Sequence, residues 1–193
     1  MAGTLSVQKI QGLASSATPT TVEISSGHVL NAPGHVIQTL QAVKTDTTSS
    51  TSTDFVDISG LSIAITPSST SSKVLIICNF CWAGANNSSP KFRLAGGNSG
   101  NFIGDAASNR VRAAYFAADD YFNGAANAGN ETAFMASLCY LDSPNTTSAI
   151  TYKLQGETDG NGAFYINRTG ADVDNASEGG RSASSITVQE IAQ

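Results

Sequence analysis

The clearest signal in the chain is apolar/polar alternation at a period of two, which sends successive side chains to opposite faces of a strand. In LSIAIT (Leu61–Thr66), Leu61, Ile63 and Ile65 share one face while Ser62 and Ala64 take the other. AITYKLQGE (Ala149–Glu157) sets Ile150, Tyr152 and Leu154 against Thr151, Lys153 and Gln155. KVLIICNFCWA (Lys73–Ala83) is apolar on both faces, which predicts a central strand covered on both sides. Further strands are predicted over His35–Lys44, Asp54–Ser59, Lys91–Gly96, Asn101–Gly104, Arg110–Ala117, Ala163–Arg168 and Ser184–Ala192. In TAFMASLCYLD (Thr132–Asp142), Ala, Met and Leu would suit a helix. The turn-forming SPNTT that follows and the β neighbours favour a strand. TDTTSSTSTD after Lys44 reads as a loop, and TDGNG (Thr158–Gly162) as a tight hairpin turn between the strands that flank it. Short strands and turns at this spacing predict an all-β domain over residues 35–193, a two-sheet sandwich of jelly-roll type.

Residues 1–34 follow another pattern. TLSVQKI (Thr4–Ile10) and TTVEIS (Thr20–Ser25) are short alternating segments, separated and followed by turn-rich SSATP and SSGHVLNAPG. Too few apolar residues occur here for a core. The segment is expected to be an extended arm lying on its own domain or on a neighbouring subunit, with Leu5, Val7, Ile10, Val22 and Ile24 as the contact residues.

Composition sharpens this picture. The hydrophobic fraction is 40% and the charged fraction 13%, about half the usual charged share near 25%. Ser, Thr, Asn and Gly take the place of charges, which suits strands, turns and protein-covered surfaces better than long surface helices. The net charge of −5 and the scattering of ten Lys and Arg leave no basic patch for phosphates, so nucleic-acid binding is disfavoured. No apolar run approaches the roughly 20 residues of a membrane span, and MAGTLSVQKIQG lacks the apolar stretch of a signal peptide. The expectation is a protein made and assembled in a cytoplasm, without membrane insertion.

Candidate chemistry is sparse. Cys78 and Cys81 form a C-x-x-C, but in a strand residues three apart point to opposite faces and cannot share a metal or a disulfide. With Cys139 they read as small buried hydrophobes. His28 and His35 have no local ligand partners. Asp119 and Asp120 are adjacent, so an extended chain would separate them, whereas glycoside hydrolysis needs two carboxyls facing across a sugar. Asp172 and Asp174 lack the remaining spacing of a calcium loop. No catalytic residue, metal site or cofactor is expected, and the protein reads as a non-enzyme. The aromatic and acidic stretch RAAYFAADDYFNG leaves Tyr115, Phe116, Asp119, Asp120, Tyr121 and Phe122 as candidates for contact with a host-surface glycan, or for filling the core or an interface.

Three stretches carry a resemblance. TLSVQKIQGLASSATPTTVEISSGHVLNAPGHVIQ, STDFVDISGLSIAITPSSTSSKVLI and AFYINRTGADVD with the terminal SSITVQEIA resemble a group of small structural and fibre-like proteins of cyanophages and other marine phages. The stretch from Lys91 to Glu131 matches nothing in that pattern. The resemblance implies a trimeric jelly roll similar to C1q/TNF-like domains and a place in the virion. There the protein would be a tail-fibre-like appendage held by its arm to other virion proteins and reaching host surface polysaccharide. The alternative is a trimeric capsid decoration protein that stabilises the shell.

Overall fold

The computed structural model describes residues 32–85, 87–97, 102–117, 132–177 and 179–193. Among them lie ten strands: β1 (Val36–Lys44), β2 (Thr48–Ser50), β3 (Val56–Ile65), β4 (Lys73–Gly84), β5 (Lys91–Ala95), β6 (Tyr115–Phe116), β7 (Phe134–Asp142), β8 (Ile150–Glu157), β9 (Phe164–Ile166) and β10 (Ser184–Ile191). No described residue is helical, and Thr132–Asp142 is strand.

The apolar run of β4 becomes the centre of the first sheet. Its residues from Val74 to Asn79 pair with β10 and with β7 at once, so those two strands occupy opposite edges of β4. β9 pairs with Trp82–Gly84 on the β10 side, and β1 and β2 lie one strand further out. β9 and β10 are therefore one line of chain interrupted by an excursion, as are β1 and β2. The second sheet runs β3-β8-β5-β6. With the two interruptions closed, the first sheet takes the first, eighth, third and sixth strands and the second takes the second, seventh, fourth and fifth. That is the double Greek-key order of a jelly roll.

The core lies between the sheets and follows the alternation. Val74, Ile76, Cys78, Phe80 and Trp82 of β4 meet Leu61 and Ile65 of β3, Phe92 and Leu94 of β5, and Tyr152 and Leu154 of β8, all buried. Each such side chain contributes about 1.5–3 kcal/mol through the water it leaves. Rings gather at one end, with Trp82 5.8 Å from Phe92, 5.2 Å from Phe134 and 5.4 Å from Tyr115.

Several sequence expectations need correction: of Asn101–Gly104 only Phe102 is described as paired, in a single bridge to Leu94, and of Arg110–Ala117 only Tyr115–Phe116 is strand. The segments Asp54–Ser59 and Leu61–Thr66 are one strand, β3, broken in register between Asp57 and Ser62. Gly60 sits in that irregularity at φ +83°, over the buried aliphatic stem of Lys44. The polar run after Lys44 contains β2, whose short ladder to β9 supplies pairing that its composition did not advertise. The turn Thr158–Gly162 does not close a hairpin, because β8 belongs to the second sheet and β9 to the first; it carries the chain across the sandwich. Cys139 is exposed, since the outer face of β7 is not covered by any described strand, while Cys78 and Cys81 are buried on opposite faces of β4.

Candidate interaction face

The two outer faces of the sandwich differ in chemistry. On the second sheet the outward positions form a ladder of charges and amides. Lys91 pairs with Glu157 at 3.4 Å, Lys153 with Asp57 at 2.7 Å, and Gln155 bridges them, donating to Asp57 and accepting from Arg93. Arg93 also covers the Phe55 ring at 4.0 Å. Lys153, then Gln155, hold the Asp57 carboxyl below its ordinary range by donating to it. Lys153 and Asp57 on this face are partly exposed, whereas the Lys91–Glu157 pair is largely buried.

Between Lys73 at one rim and the Cys81 end, where Cys81 is buried and lines one hollow with Arg168 and Arg181, the outer face of the first sheet carries no charge over four strands. β1 turns out Thr39, Gln41 and Val43, and β10 turns out Ser185, Thr187, Gln189 and Ile191. β4 adds Leu75, Ile77, Asn79 and Cys81, and β7 adds Met135, Ser137, Cys139 and Leu141. The register sets Leu75 beside Leu141, Ile77 beside Cys139 and Cys81 beside Met135. Apolar pairs therefore line β4 and β7 on either side of the polar pair Asn79 and Ser137, with Met135 64% and Leu141 51% exposed. The β1–β10 half is hydroxyls and amides, tied by Gln41 to Thr187 at 2.9 Å and Gln189 to Thr39 at 3.3 Å. Lys73 stands only at the rim, donating to Ser143 at 2.6 Å.

Beneath this face the strand breaks are pinned by buried polar groups. Asn167, fully buried at φ 63°, donates to the carbonyls of Lys44 and Asp46 at 2.9 Å each and accepts from Ser184 Oγ at 2.6 Å. Ser184 Oγ in turn accepts from the Cys81 amide at 3.0 Å. One side chain thus joins β1, β4, β9 and β10 where two strands are interrupted. At the other end, buried Glu190 accepts from Gln38, from the Ser68 amide and hydroxyl, and from Ser72. Burial pushes the Glu190 carboxyl up, but these hydrogen bonds outweigh it and hold it below the usual range.

The sequence candidates are distributed as follows. Tyr115 is half-buried in the ring cluster, and Phe116, on β6, is 69% exposed. Asp119, Asp120, Tyr121 and Phe122 lie outside the described residues, as do Leu5, Val7, Ile10, Val22, Ile24 and His28. His35 is exposed, and its backbone carbonyl accepts from Ala192 at 2.9 Å. The Asp172 carboxylate is engaged by Arg181 and by Arg168, with Arg181 the main cause of its lowered pKa. No cluster of metal-ligating side chains occurs among the described residues. Sequence reading gave neither Asn167 nor Glu190 a structural role; an Asn before Arg168 and a Glu in an alternating strand carry no local sign of their distant partners.

No family model matches the chain, and no curated protein does. Among solved structures, it is similar to the structure of infectious bursal disease virus Gx strain, at 12% identity and a TM-score of 0.38 over 90% of this chain. The chain spans 41% of the length of that protein.

Proposed function

We propose that this protein is a phage virion structural component, a fibre-like appendage unit that assembles through the uncharged outer face of its first sheet and is anchored by its N-terminal arm. The observation that carries the reading is the contrast between the two outer faces. Charges are excluded from the centres of protein interfaces because desolvating them costs more than they return, whereas Met and other apolar side chains are favoured there. Four strands about 4.8 Å apart and about 27 Å long present roughly 500 Å² in projection. This approaches the area of about 800 Å² that each partner gives to a standard interface. The resemblance of the arm, the FVDISGLSIAITP passage and the terminal strand to marine-phage structural proteins supports the virion and a homotrimer. The charged second sheet, with exposed Phe116 at its edge, is then the face turned to water and to host polysaccharide. Catalysis has no part in this reading.

A second reading is a capsid decoration protein, in which the outer face of the first sheet would lie on the shell. The two are separated by the position and copy number of the chain in a particle map. Few copies at the tail, with binding to host cells or extracted lipopolysaccharide, support the appendage. Copies in numbers near those of the shell protein, and capsids that lose heat resistance without the chain, support decoration and overturn the appendage.

A further inference from the structure

The outer face of the first sheet changes character at its Cys81 end. There the excursion between β9 and β10, residues 167–183, borders an open hollow of about 300 Å³. That volume is at the small end of the range for small-molecule sites, about 300–1,000 Å³. Two cations line the hollow, Arg168 from the start of the excursion and Arg181 from its end, and no described carboxylate does. Charges that would have to be desolvated set this end apart from the uncharged surface used for assembly.

The base of the hollow is held in place. Asn167 donates its backbone amide to the Cys81 carbonyl at 3.0 Å, and its own carbonyl accepts from the Ser182 amide at 3.2 Å. Cys81, Arg168 and Ser182 are thereby fixed around one buried residue. Arg168 lies over the Tyr165 ring at 4.2 Å and donates from Nη1 to the carbonyls of Thr169 at 3.1 Å and Gly170 at 3.4 Å. Asp172 meets Nη1 of both arginines, and it lines the neighbouring hollow instead of this one. One carboxylate against two guanidiniums leaves one positive charge over. The described contacts all use Nη1, so Nε and Nη2 of each fork remain for an outside oxyanion, which a guanidinium binds bidentately. Thr169, Ser177 and Ser182 add hydroxyls, and Cys81 and Ala133 an apolar patch. The Ser182 hydroxyl is buried without a partner among the described residues, so turning it toward the hollow breaks no hydrogen bond.

We propose that this hollow binds one acidic sugar unit, a uronic acid. Its carboxylate lies between Arg168 and Arg181, its hydroxyls meet Thr169, Ser177 and Ser182, and a C–H face rests on Cys81 and Ala133. A neutral sugar leaves the charge unmet, and a bare anion leaves the hydroxyls and the apolar patch unmet. The inference concerns the isolated chain. It does not use the second-sheet face and is independent of any place in a virion.

The test titrates full-length protein with galacturonate, its trimer, galactose, acetate and inorganic phosphate, following backbone amide shifts by NMR. Galacturonate or its trimer should bind about tenfold more tightly than galactose, acetate or phosphate, as one charge-assisted pair allows. The tighter of the two tells whether the unit is taken free or within a chain. Shifts should centre on Cys81, Arg168 and residues 179–182. Arg181→Gln, at a side chain 55% exposed, should weaken galacturonate about tenfold and leave the urea midpoint near wild type. Ser182→Ala should weaken it about fivefold, yet leave the unliganded protein at least as stable, because a buried hydroxyl without a partner is removed. Galactose, acetate or phosphate binding as tightly as galacturonate overturns the proposal. So do shifts centred elsewhere, absence of binding, or affinity unchanged in either variant.

Discussion

Asn167 uses its amide hydrogens on two carbonyls and its amide oxygen on Ser184, all without exposure to water. Its left-handed backbone is one that Asn tolerates better than most residues. Asn167→Asp would set a carboxylate against the Lys44 and Asp46 carbonyls, acceptor against acceptor, in a buried position. Urea unfolding should show a loss of about 3 kcal/mol or more. Asn167→Gly keeps the backbone conformation and removes only the bonds, so it should cost less than the Asp variant. Glu190 makes a pH-dependent case. Its folded pKa is depressed, so its contribution is complete above the unfolded value of about 4.3 and is lost as pH falls through the folded value. Glu190→Gln should be less stable than wild type at pH 7 by about 1–3 kcal/mol. The gap should close below about pH 4 when melting is followed against pH. Cys78 completes the residue scale, with burial pushing its thiol up to about 12. Native-state labelling followed by peptide mapping should find Cys139 modified long before Cys78.

At the scale of elements, β3 depends on one backbone position. Gly60 has φ +83°, and a Cβ there would meet the Lys44 stem at 3.4 Å, ordinary contact distance. The cost of Gly60→Ala therefore comes from the left-handed backbone and should be about 1–2 kcal/mol in chemical denaturation. The sequence showed alternation on both sides of Gly60 but could not tell a bulge within one strand from a turn between two, because both place a Gly between apolar runs. β9 and β10 present the complementary case. Each alternated visibly, yet their union on one edge of β4 depends on Asn167 and Ser184, which are distant in the chain.

At the scale of the molecule, what distinguishes the two sheets is where charge is allowed. A charge placed in the first sheet's outer face, as in Thr187→Arg, should reduce assembly by full-length protein, read by light scattering, because it must be desolvated on contact. Lys153→Gln on the second sheet removes an exposed pair worth about 0–1 kcal/mol and should leave both assembly and stability near wild type.

The pattern of apolar positions was enough to find all-β architecture, the central role of Lys73–Ala83, and the opposed faces of Cys78 and Cys81. Those properties follow from local geometry, since a strand's period of two assigns faces without knowledge of its neighbours. The sequence was also enough to show that charge is scarce. Tertiary structure alone decided which strands are neighbours, that Thr158–Gly162 crosses the sandwich, that Cys139 looks outward, and that fifteen uncharged positions from β1, β4, β7 and β10 form one face. A face of this kind is assembled from residues up to about 150 positions apart in the chain. Its lack of charge is a property of the sheet order, which alternation within any one strand does not encode.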